Sequence, residues 1–191
     1  MNGLRQKSSF FHVIIGSVGL ALCSCANAEQ QVVAGHRYDV PKANLISKND
    51  YPFFLPKDEQ GGFIFLLNPD AELRQRRNVL VEDREKMCKR ANGGGYVSQT
   101  ICGSQSVDWR GQGWRKTGDD IFWNYSPDTL SDADAPFVTC HKMEIEGHSG
   151  LCTATLPFGN LVLSISLDDD ELPYLDATYE RAVSMLRSWE V

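Results

Sequence analysis

The chain has 191 residues, of which 42% are hydrophobic and 23% charged, and a formal net charge of −6. That length suffices for one domain with a sizeable core, and the charge has the wrong sign for nucleic acid or anionic lipid partners. The single basic clump, Arg74-Gln75-Arg76-Arg77, is too short to reverse this and reads as a solvated connection.

Arg5 and Lys7 open the chain, and Ser8 to Ala28 contains no Asp, Glu, Lys or Arg. The apolar run Phe10 to Leu22 has the length of a signal-peptide core and falls short of the ~20 residues a spanning helix needs. Ala26-Asn27-Ala28 supplies the small-x-small pattern read by signal peptidase, so residues 1–28 are expected to be removed, leaving 29–191 as a single domain. Leu22-Cys23-Ser24-Cys25 is a rival signal, a lipobox in which Cys25 would be lipidated, although Cys23 fits its second position poorly. Either outcome puts the protein in the oxidising periplasm, with membrane contact expected only if Cys25 carries lipid. Cleavage at Ala28 removes two basic residues and leaves 17 against 25 acidic ones, a net charge of −8.

Val32 to Val40 reads as a first strand containing His36 and ending at Pro41, and Gly62 to Leu67 as a buried second one broken by Asn68-Pro69-Asp70. Val79-Leu80-Val81 is a short strand core. Asp83 then caps a brief helix that carries Cys88 and stops near Asn92-Gly93-Gly94-Gly95. Three of the four tryptophans lie between Trp109 and Trp123. Ile121, Trp123 and Tyr125 alternate and are expected to bury one strand face. Trp109, Arg110, Trp114 and Arg115 flank Gly111 and Gly113 on a turn, where large aromatics beside arginine suit a partner-binding hot spot.

Phe137 to Ile145 and Leu151 to Leu156 flank Gly147-His148-Ser149-Gly150 and read as a hairpin. If Cys140 and Cys152 sit directly opposite, the register centres on Glu146 and leaves the loop Glu144 to His148. Leu161, Leu163, Ile165 and Leu167 alternate with Val162, Ser164 and Ser166, giving a strand with one core face. From Leu172 the period changes, and Leu175, Tyr179, Ala182, Val183 and Leu186 form the apolar stripe of an amphipathic helix with Asp170 as N-cap and Pro173 in its first turn. The expected fold is α+β: a mainly antiparallel sheet with this C-terminal helix on one face.

After cleavage, Cys88, Cys102, Cys140 and Cys152 remain, an even set that implies two disulfides. Three connectivities are open. Pairing neighbours in sequence, Cys88 with Cys102 and Cys140 with Cys152, is preferred because both loops are short. A zinc site from Cys140, His141, His148 and Cys152 matches no common spacing, and thiols in an oxidising space tend to pair. Gly147-His148-Ser149-Gly150 lacks the glycine two residues after serine that a nucleophile elbow requires, and Asp132-Ala133-Asp134 and Asp168-Asp169-Asp170-Glu171 do not continue into a calcium loop. No cofactor, metal or catalytic residue is assigned.

The layout resembles small bacterial envelope proteins that include immunity proteins for type VI secretion effectors, and is similar to the Mog1/PsbP-like arrangement. The matching parts are the export signal, Arg37-Tyr38-Asp39-Val40-Pro41, the Cys140 and Cys152 pair, Gly159-Asn160-Leu161 entering a strand, and a last helix ending Leu186-Arg187-Ser188-Trp189. The resemblance implies a non-enzymatic periplasmic domain that binds and occludes a toxin. The alternatives are a small envelope hydrolase using dispersed acids or His141, and a structural outer-membrane lipoprotein.

Overall fold

A computed structural model describes residues 27–47, 49, 61–91, 99–103, 108–130, 137–143 and 149–191. Residues 1–26, with the apolar signal core and Cys25, lie outside the described residues, as do the glycine-rich stop Asn92 to Gly95, Asp132 and Asp134, and the loop Glu144 to His148.

The described chain opens on a hairpin, β1 (Ala28–Val33) and β2 (His36–Pro41), paired from Ala28 opposite Pro41 to Val33 opposite His36. The single strand expected over Val32 to Val40 is therefore two strands. Ala34 (φ 49°) and Gly35 (φ 84°) both adopt left-handed backbone and reverse the chain, a conformation that glycine favours and that alanine gives no reason to expect.

Among the described residues the main sheet has seven strands: β3 (Gly62–Leu66), β4 (Asn78–Asp83), β5 (Trp114–Gly118), β6 (Phe122–Pro127), β7 (Val138–His141), β8 (Leu151–Phe158) and β9 (Leu161–Asp168). Their order is β3-β4-β9-β8-β7-β6-β5, with every neighbouring pair antiparallel. Strands β5 to β9 form a meander, and β9 returns beside β4. Cys140 lies directly opposite Cys152, the register that a bridged pair requires. The disulfides join Cys88 to Cys102 and Cys140 to Cys152.

Alternation decides which face is core. Ile165, Ala154 and Val138 lie side by side on one face, as do Leu163 and Leu156, and all are fully buried. The opposite face of the same strands carries Ser164, Ser166, Thr153 and Thr139. The helix α1 (Arg84–Ala91) follows β4, and its Lys86 amide donates to the Asp83 carboxylate at 3.1 Å, the cap read from sequence. The short helix α2 (Gln99–Cys102) is tied to α1 by the Cys88–Cys102 bridge.

The last helix, α3 (Leu175–Trp189), buries Leu175, Tyr179, Ala182, Val183 and Leu186, which is the predicted stripe. Its entry differs from expectation. Residues Asp169–Tyr174 form a 3-10 segment that contains Pro173 and is capped by Asp168, and α3 follows it with Tyr174 at its own N-cap, so Asp170 caps neither. Asp168 and Glu171 make a capping box, and the Arg77 guanidinium donates to both carboxylates at 2.8 and 2.6 Å. A cap joined to a cation across the sheet outcompetes a solvated Asp170.

Candidate partner-binding surface

Of the four residues expected to form a hot spot on the turn before β5, Trp109 is buried, Trp114 and Arg115 are half-buried and Arg110 is exposed. Trp109 is only 3% exposed and meets the Tyr179 ring edge-on at 5.1 Å, with Trp114 tilted against it at 6.3 Å. Arg110 is exposed but donates to Asp108 at 3.3 Å and to Glu180 of α3 at 3.1 Å. The Gly111 amide donates to the Asp176 carboxylate at 2.9 Å. Arg115 donates to the Leu130 carbonyl at 2.9 Å. This turn clasps α3 onto the sheet, so the indole of Trp109 belongs to the core. Sequence could not foresee it, because Tyr179 is distant along the chain.

Large apolar side chains held in water lie at the other end of the same hairpin. Ile121 is 59% and Phe122 66% exposed, in the reversal between β5 and β6. The expectation that Ile121 continues the buried face of Trp123 and Tyr125 is corrected: it precedes the first paired residue of β6, where alternation no longer sets orientation. The reversal is fixed at several points. The Asp119 carboxylate accepts from the amides of Ile121 at 2.8 Å and Phe122 at 2.7 Å, while the Asp119 amide donates to the Phe122 carbonyl at 2.8 Å. The Lys142 amide donates to the Ile121 carbonyl at 2.9 Å. Those backbone amides, Phe122 first and then Ile121, hold the Asp119 carboxyl below the usual carboxylate range.

Gly118 completes the reversal with φ 111°; a Cβ there would lie 2.4 Å from the Phe122 carbonyl oxygen and 2.8 Å from the Trp123 Cα. The signal available in sequence was Gly118-Asp119-Asp120, turn-forming residues ahead of two bulky apolar ones. Beneath the tip, Trp123 Nε1 and Tyr125 OH donate to the same Asp169 oxygen at 2.9 and 2.8 Å, and the Lys116 ammonium stands 4.4 Å from the Trp123 ring centroid. Burial first, and then Asp169, pushes the Tyr125 phenol up to about 12. Phe122 lies opposite His141, which lies opposite Leu151, so the aromatic sits over the outer face of the sheet.

Other groupings carry structural duties. Cys140, Cys152 and Asp169 approach one another closely enough to suggest metal ligands, but both sulfurs are consumed in a disulfide. A recess at the opposite end is lined by Ala34, Arg84, Cys88 and Asn160 among others, and Arg84 there donates to the carbonyls of Ile101 and Gly103, tying α2 in place. His36 contacts Glu190 at 2.7 Å and Asn160 at 3.0 Å, which latches the first hairpin to the residue after α3 and to the β8–β9 turn.

The arrangement is an α+β fold in which a fixed reversal exposes two large apolar side chains. No known family and no curated relative matches the chain. A solved structure similar to it is that of Smlt3025, an immunity protein of the Stenotrophomonas maltophilia type IV secretion system. The two share 12% identity with a TM-score of 0.46, over 86% of this chain and 94% of that one.

Proposed function

We propose that this chain is a periplasmic protein-binding domain that neutralises a secreted toxin by occlusion, with no chemistry of its own. The observation that carries the reading is the locked β5–β6 reversal, which keeps Ile121 and Phe122 in water. Covering an apolar side chain of this size contributes about 1.5–3 kcal/mol, and a reversal already ordered loses little entropy on binding. Two disulfides suit an oxidising compartment. Cleavage before Glu29 suits the first hairpin, because Glu29 to Val33 would keep their partners in β2.

The test is to produce the mature protein in the periplasm together with the product of each reading frame adjacent to its gene, and to score cell survival and complex formation. Protection of the cells and a stable complex between the two purified proteins are expected. Loss of both outcomes, with cells unprotected and no complex formed, would overturn the reading.

A further inference from the structure

We propose that the Cys88–Cys102 bridge is a reversible thiol–disulfide exchange site, opened at Cys102 by a protein dithiol, while the Cys140–Cys152 bridge stays closed. The site lies away from the β5–β6 reversal and holds whether or not that surface binds a partner.

The two bridges have different surroundings. Cys140 and Cys152 are 3% and 1% exposed, on adjacent strands of the main sheet. Cys102 is exposed and Cys88 half-buried. Both line an open recess of about 960 Å³, together with Asp83, Arg84, Lys89 and Asn160 among others. Exchange requires an attacking thiolate to reach one sulfur of the bond. A bridge in the wall of an open recess meets that need directly, whereas a bridge in the core reacts only after local opening. The charged side chains lining the recess balance, with Asp83 and Glu85 against Arg84 and Lys89. Access therefore sets the difference between the bridges, and electrostatic attraction does not.

Arg84 makes the opening reversible. Its guanidinium donates to the carbonyls of Ile101 and Gly103, the residues on either side of Cys102, the second at 2.8 Å. Ile101 itself is fully buried. Neither anchor depends on the sulfur–sulfur bond. With that bond broken they keep Cys102 beside Cys88, and two thiols held together re-form their bond faster than either captures another molecule.

The exchange is a two-electron reduction. A thiolate of the dithiol bonds to the Cys102 Sγ, the Cys88–Cys102 bond breaks, and its electron pair leaves with Cys88 as a thiolate. The second thiol of the reductant then attacks the mixed disulfide, which releases Cys102 as a thiolate and leaves the reductant as its own disulfide. The two protons given up by the reductant end on Cys88 and Cys102. The disulfide form of the same protein runs these steps backwards and closes the bridge.

The experiment uses the mature protein with both bridges formed, without denaturant, and dithiothreitol as the probe. Samples are quenched by alkylation and the labelled cysteines identified by peptide mass. Cys88 and Cys102 are expected to be labelled at least about 100-fold faster than Cys140 and Cys152. The near-ultraviolet circular dichroism of the folded protein should persist, and oxidised dithiothreitol should restore the bridge. Cys88→Ser leaves Cys102 as a free thiol and Cys102→Ser leaves Cys88; glutathione disulfide should load the first at least about tenfold faster than the second. Arg84→Gln should slow closure of the reduced pair several-fold.

Parallel reduction of both bridges overturns the site, as does loss of the folded spectrum once Cys88 and Cys102 are reduced, because the bond is then a structural staple. Faster loading of Cys88 than of Cys102 overturns Cys102 as the sulfur attacked. Closure at an unchanged rate in Arg84→Gln overturns the part assigned to its guanidinium.

Discussion

Asp169 shows how one carboxylate can organise a corner of the molecule. It accepts from Trp123 Nε1 and Tyr125 OH, and the sulfurs of Cys140 and Cys152 lie 3.9 and 3.8 Å from the same oxygen. Asp169→Ala leaves both donors without their acceptor and should cost about 2 kcal/mol in denaturant unfolding. Asp169→Asn removes the negative charge that helps raise the Tyr125 phenol, so its ultraviolet titration should move down from about 12 while burial keeps it above the ordinary value of 10.0. Tyr38 is also pushed up to about 12, by burial and then by Glu190. Both pKa values are raised in the folded state, so the associated stability is complete below about pH 10 and is lost as pH rises toward about 12. Unfolding midpoints measured across that window should fall, and less steeply in Glu190→Gln. Sequence marked Trp123 and Tyr125 as core but had no means of identifying Asp169, which looked like one acid in a run of four.

At the scale of elements, the β5–β6 hairpin depends on its reversal. Gly118→Ala forces a side chain against backbone atoms of Phe122 and Trp123 and should cost about 2 kcal/mol. Asp119→Ala removes the acceptor of two amides, and faster hydrogen exchange at Ile121 and Phe122 is the expected readout. Elements with a sustained period were legible: β9 alternates over its whole length, α3 repeats at three and four residues, and β4 leads directly into a capped α1. Elements defined by interruption were not. The reversal at Ala34 lacks an Asn-Gly or Asp-Gly signal, and the orientation of Ile121 depends on where β6 begins. Trp109 illustrates a third limit, since its burial is created by a helix folding back from the last part of the chain.

For the whole molecule, the two disulfides close short loops, with sequence separations of 14 and 12. Each contributes about 3 kcal/mol in the chain-entropy treatment. Replacing Cys140 and Cys152 together by serine should lower the unfolding free energy by about that amount and leave the Cys88–Cys102 bridge as the remaining source of sensitivity to reductant. Helix α3 supplies a separate form of closure: Arg181 donates to the Leu67 carbonyl at 2.8 Å, Tyr179 to the Pro157 carbonyl at 2.8 Å, and Trp189 meets Phe65 edge-on at 5.1 Å.

The strand order also has a kinetic meaning. Each strand from β5 to β9 finds its partner in the next stretch of chain, whereas β4 must wait for β9, with Val79 reaching Ile165 and Val81 reaching Leu163. Closing that long loop is costly before any contact rewards it, so the seam between β4 and β9 should limit the folding rate. Val81 and Val138 are both fully buried, one at the seam and one inside the meander. Val81→Ala should therefore place more of its destabilisation in slower folding than Val138→Ala does, a difference that chevron analysis can read.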